Sequence, residues 1–178
     1  MALGGYSANA QKPLRLDGFS QWRTGHDEDT QQLVPERGRE GLVGIKGKTL
    51  AHVKFIVREY GELSFPIDPT TAEGEEAKKT DLRKAKFIGI CYKSNHDVVL
   101  QLRETGVHGG VHNRVVLPAS EKFVTRRIYF SEFKGGKTEL DLGNVAKFNF
   151  AFLSNNTADG FAELIVKRFR IKGYGTWR

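Results

Sequence analysis

The sequence predicts an all-β protein, a sandwich of two antiparallel sheets. Three observations carry that reading. Apolar and polar residues alternate with period two in segment after segment, the strand signature. Gly, Asn and Asp punctuate the segments. No long helical pattern interrupts them. Phe dominates the aromatics, with 12 copies against 5 Tyr and 2 Trp, a bias that suits pleated, half-buried surfaces.

The elements follow in order. "AHVKFIVRE" sets Val53, Phe55 and Val57 against His52, Lys54 and Arg58. "GELSFPID" places Leu63, Phe65 and Ile67 on one side. "TTAEGEEAKKTDLRKA" has few apolar positions and a Gly, and reads as a charged loop. "KFIGICYKSNHDVVLQLRET" reads as strand, polar turn and strand. Parity there sends Ile88, Ile90, Leu100 and Leu102 inward and Gln101 and Arg103 outward. "HNRVVLPAS" and "TRRIYFSEF" are further strands, and "AKFNFAFLSN" sets Phe148, Phe150 and Phe152 against Lys147, Asn149 and Ala151. "AELIVKRFRIKGY" is the last strand. No internal repeat or low-complexity linker divides the chain, so residues 13–178 form one domain and residues 1–12 a flexible N-terminal segment.

Composition narrows the function. The 178 residues can bury a core without metal or disulfide support. The single cysteine, Cys91, forms no intramolecular disulfide, and its apolar strand predicts a buried structural thiol. No run reaches the ~20 apolar residues of a membrane helix. The N-terminal stretch lacks the charged and apolar regions of a signal peptide. The net charge is +7 with a pI near 9.5, but the basic residues are dispersed and no nucleic-acid motif accompanies them. The expected partner is neither nucleic acid nor membrane.

Catalytic and metal motifs fail one by one. His108 and His112 are four apart, but two glycines between them argue against a shared helix face, and no third zinc ligand is near. "HDEDTQ" and "EGEE" read as hydrated acidic loops rather than as an acid and base across a cleft. "GREGLVGIKGKT" has the wrong glycine spacing for a phosphate loop and leads into a strand. What remains is the polar face of the strands: Gln101 with Arg103, His112 with Arg114, Arg127 with Tyr129, and Asn149 opposite the Phe row. Brought together, these groups make a plate of planar donors and acceptors with an aromatic ring, suited to a sugar.

Four stretches carry a resemblance: "LRLDGFSQW" (14–22), "KFIGICYKSN" (86–95), "KFVTRRIYFSEF" (122–133) and "VAKFNFAFLSNNTADGFAELIVKRFRI" (145–171). From about residue 14 to 172 the chain resembles β-jelly-roll carbohydrate-binding modules, nearest the family 11-like glucan-binding modules. These share a galactose-binding-like sandwich with the complex I intermediate-associated protein family. The resemblance implies a non-catalytic module that holds a polysaccharide, a β-glucan first, in an open cleft on one sheet. It implies a secreted monomer tethered to a catalytic domain. An exposed Trp22 loop is the next candidate contact should the strand faces not bind. Two departures stand out. Phe123 replaces a usual core Trp. Lys167 and Arg168 replace an acidic pair that helps hold structural calcium in such modules, leaving Asp17 as a candidate ligand and no cofactor expected. Three alternatives remain: a binder of acidic polysaccharide, a protein-binding assembly factor of the same fold, and a jelly-roll glycan hydrolase or lyase, for which the sequence nominates no acid and base.

Overall fold

The computed structural model describes residues 22–35, 51–68, 76–109, 111–157 and 160–174. The Gly-rich stretch 38–49 and Asp17 lie outside them. Ten strands form: β1 (Arg23–His26), β2 (Gln31–Val34), β3 (Ala51–Ile56), β4 (Tyr60–Pro66), β5 (Phe87–Ser94), β6 (Val98–Glu104), β7 (Arg114–Leu117), β8 (Ser120–Tyr129), β9 (Val145–Leu153) and β10 (Phe161–Lys172). They build two five-stranded sheets, ordered β1-β4-β9-β6-β7 (the front sheet) and β2-β3-β10-β5-β8 (the back sheet). Every pairing is antiparallel. The charged stretch expected to be a loop has no helix over residues 76–85.

Alternation places the core between the sheets. Leu63, Phe65, Leu100, Leu102, Phe148, Phe150 and Phe152 point in from the front sheet. Val53, Phe55, Ile88, Ile90, Ile128, Leu164, Phe169 and Ile171 meet them from the back. The aromatics interlock. Phe65 stacks on Phe148 at 5.4 Å and meets Phe169 edge-on at 5.0 Å. Gly61 lets the Phe55 ring lie against β4, because a Cβ there would sit 2.7 Å from that ring.

Three expectations are corrected. Trp22 is not an exposed loop residue. It is 2% exposed and packs 4.1 Å from Phe65, because Arg23 takes the outward position at the start of β1. Phe123 is exposed rather than core, since β8 turns Val124 inward. Cys91 is half-buried rather than buried: Ile88, Ile90 and Tyr92 own the inner face of β5, and parity turns Cys91 out. The Lys167–Arg168 pair is accommodated by a bulge between Val166 and Arg168. Both residues face solvent there, and the extra residue returns Phe169 and Ile171 to the core.

One corner rests on Asp27. Its carboxylate accepts hydrogen bonds from the backbone N–H groups of Asp29, Thr30, Glu59 and Tyr60 and from the Thr30 hydroxyl. It thereby joins the β1–β2 turn to the β3–β4 turn. Desolvation alone would raise its pKa, but these donors together outweigh that and hold it well below the usual carboxylate range.

Two outcomes are expected. Phe150→Ala should cost ~3–5 kcal/mol in denaturant melts, as for other fully buried Phe residues. An unchanged midpoint would contradict the packing. Asp27→Ala should lower the melting temperature near neutral pH. Because the folded-state pKa is depressed, the gap between parent and variant should close as pH falls below about 3.9, where the unfolded carboxyl protonates. A gap constant with pH would contradict the capping role.

Candidate functional site

The same alternation that builds the core lays out the outer face of the front sheet. Cross-strand register aligns Arg23, Ser64, Asn149, Gln101 and Arg114 in one row across all five strands. A neighbouring row holds Pro66, Lys147 and Arg103. The Leu102 N–H donates to the Asn113 carbonyl, continuing the β6–β7 ladder and setting His112 beside Arg103. On the other side run Gly25, Glu62, Ala151, Val99 and Val116, then Tyr60 paired with Leu153.

The middle of this face is shielded and its ends project. Asn149 is 0% exposed, and Ser64, Val99 and Ala151 are buried, whereas Tyr60 and Val116 are exposed. Against Arg23, Ser64, Pro66, Arg103 and Lys147 lies a pocket of ≈ 190 Å³.

Its electrostatics are unbalanced. Asn149 Nδ2 donates to a Glu62 carboxylate oxygen at 3.0 Å, but Asn149 Oδ1 has no partner. Buried atoms Nε and Nη2 of Arg23, Nδ1 of His112 and Oγ1 of Thr105 also lack partners. A Cβ at Gly25 would sit 3.2 Å from Glu62 Oε1, so the glycine leaves that carboxylate room. Burial, then the charges of Arg103 and Lys147, push the His112 pKa down to about 4. Burial also lowers Lys147; Arg103 and Arg23 add to that, while Glu62 opposes it. Arg114 is engaged, donating to the Gly135 carbonyl at 3.0 Å.

The structure brings together five of the eight residues expected from sequence: Gln101, Arg103, His112, Arg114 and Asn149. It separates Arg127 and Tyr129, which stand on the outer face of the back sheet, on the opposite side of the sandwich. The expectation that they join Gln101 and Arg103 is corrected. β8 pairs with β5 rather than with β6 or β7, and parity within a strand says nothing about which sheet it joins. Trp22, in the core, contacts no ligand face. The sequence reading missed Arg23, Tyr60, Glu62, Ser64 and Lys147. The alternation of "GELSFPID" already assigned Glu62 and Ser64 outward, opposite Leu63 and Phe65. Only the register shows that they flank Asn149.

Calcium finds no fit where the resemblance implied it. Two cations occupy the place of the acidic pair, and among the described residues no group of three or more His, Cys, Asp or Glu is placed to hold a metal ion.

Neither a family model nor a curated protein matches this sequence. Solved structures do. The chain is similar to the family 11 carbohydrate-binding module of a cellulosomal cellulase of Clostridium thermocellum, at 17% identity over 89% of this chain and 91% of that one, TM-score 0.54. A family 11 module from Clostridium thermocellum in complex with a beta-1,3-1,4-mixed-linked tetrasaccharide is similar at 16% identity, 85% and 88% coverage, TM-score 0.52. The family 30 carbohydrate-binding module of a second cellulosomal cellulase of that organism is similar at 11% identity, 91% and 96% coverage, TM-score 0.58. The chain has the β-sandwich fold of carbohydrate-binding modules.

His112 offers a direct check of the site's electrostatics. Its imidazole should stay neutral down to about pH 4 in an NMR titration. The unfolded state binds this proton first, so the contribution of His112 to stability is present above about pH 6.5 and is lost as pH falls below it. A midpoint near 6.5 would contradict its burial among cations.

Proposed function

We propose that this chain is a non-catalytic carbohydrate-binding module that holds a polysaccharide on the outer face of the front sheet. One observation carries the reading. A row of polar side chains crosses five strands, and buried atoms of Asn149, Arg23 and His112 on that face have no hydrogen-bond partner among the described residues. Unsatisfied buried groups are costly and rare in folded proteins, and these mark a polar place that water or a ligand hydroxyl completes. Sugar hydroxyls both donate and accept, so they can meet Gln101 and the other half-exposed groups that surround the shielded Asn149. Tyr60, exposed at the end of the face, offers a ring to the C–H side of a sugar.

Mechanism on this reading breaks no bond. Hydroxyls exchange water for side-chain partners, each exchange nets little, and affinity rests on several subsites. The bound tetrasaccharide of the similar family 11 module supports a β-glucan backbone as the first ligand to test. The same reading places the protein outside the cell, as a monomer carried by a larger glycan-degrading protein. An assembly factor of the same fold would instead hold a protein, but the shielded polar row favours a thin, hydroxylated chain.

Affinity electrophoresis against soluble glycans tests this. Gln101→Ala and Tyr60→Ala should each weaken binding by ~1–3 kcal/mol without lowering the melting temperature. Retention equal to the parent in both variants would move the site elsewhere. Release of sugar from the bound glycan by pure protein would contradict the non-catalytic reading.

A further inference from the structure

The cations of this face form no close ion pair among the described residues. Lys147 and Arg103 are direct cross-strand partners on β9 and β6, a placement in which like charges repel. Among the described residues, no carboxylate oxygen lies within 4.0 Å of Arg103, Lys147 or Arg23. Arg23 shares the pocket with them and leaves Nε and Nη2 buried and unpartnered. Asn149, fully buried one row away, holds an unpartnered oxygen on the same face. Glu76 and Glu104 line the same pocket, and each nearby acid has a partner of its own. Glu62 accepts from Asn149, Glu104 accepts from the Asp141 N–H, and Glu76 lies 3.6 Å from His108. None of these acids makes a close ion pair with Arg23, Arg103 or Lys147 among the described residues, and a ligand carboxylate would supply one.

We propose that the pocket formed by Arg23, Arg103 and Lys147 is a subsite for the carboxylate of an acidic sugar, so that the preferred glycan carries uronic acid residues. This rests on the reading of the front sheet as a glycan-binding face. A guanidinium presents a planar fork that pairs with a carboxylate through two hydrogen bonds, and Lys147 adds a point charge. At ≈ 190 Å³ the pocket takes one acidic sugar ring, not a whole ligand. The Tyr60 end of the face, three register rows from Arg103, would take neutral rings of the same chain.

Isothermal titration with the parent protein compares a neutral mixed-linked β-glucan, a polyuronate and a sulfated glycan, each at about 50 mM and about 300 mM salt. The polyuronate should bind tightest, and its affinity should fall with salt. The double variant Arg103→Gln/Lys147→Gln should weaken polyuronate binding by about tenfold or more and neutral glucan binding by a clearly smaller factor; equal factors for the two glycans overturn the carboxylate subsite. Arg168→Gln/Arg170→Gln, on the back sheet, should change neither. Equal binding of neutral glucan and polyuronate, or tighter binding of the sulfated glycan, overturns the carboxylate subsite but leaves the glycan-binding reading standing. Equal losses in the two double variants reduce the effect to bulk charge and overturn the subsite as well. Binding of none of the three overturns both.

Discussion

The structure depends on the inward packing of Phe148 and Phe150 from β9, the central strand of the front sheet. Their rings meet Phe65 at 5.4 and 6.4 Å and Phe169 at 5.3 and 5.9 Å, with Trp22 closing over Phe150 at 5.9 Å. A strand alternates faces, so driving these two inward forces Lys147, Asn149 and Ala151 outward. The register then carries that choice to both neighbours: Asn149 meets Ser64 on β4 and Gln101 on β6, and Lys147 meets Arg103. The polar face is the other side of the aromatic core.

The two outer faces of the sandwich differ in how they treat their charges and rings. On the back sheet they satisfy one another. Arg127 lies 4.4 Å over Phe87, which also meets Tyr129 at 6.0 Å. Lys54 covers Phe161 at 3.8 Å, Lys93 and Lys167 approach Phe123, and His52 lies 2.6 Å from Glu163. On the front sheet Arg23, Arg103 and Lys147 form no close ion pair among the described residues, beside a shielded middle. Both faces are basic, and on the front one three of the cations, Arg23, Arg103 and Lys147, gather around one pocket.

This division explains what the sequence made legible. The two sheets, the Phe row and the inward turn of Leu100 and Leu102 follow from parity and apolar patterning, which are local. So did the outward turn of Gln101, Arg103, Arg114 and Asn149. Which strands stand side by side is not local. Arg127 and Tyr129 obey the same parity, yet β8 lies against β5 in the other sheet. Trp22 reads as a loop residue because its partners Phe65, Phe150 and Phe169 are far away in sequence. Lys147 showed only as the back of a Phe row, and its meaning comes from Arg103 across the ladder.

The central claim is that the ligand lies across the front sheet. Backbone and side-chain amide shifts of the labelled protein, titrated with a short glycan chain, test it most directly. The account predicts that the largest changes fall on Tyr60–Pro66, Val98–Glu104, His112–Val116 and Lys147–Ala151, with the side-chain amides of Asn149 and Gln101 among them. Changes centred instead on Phe87–Lys93, Phe123–Tyr129 and Lys167–Lys172 would place the ligand on the opposite face and contradict it.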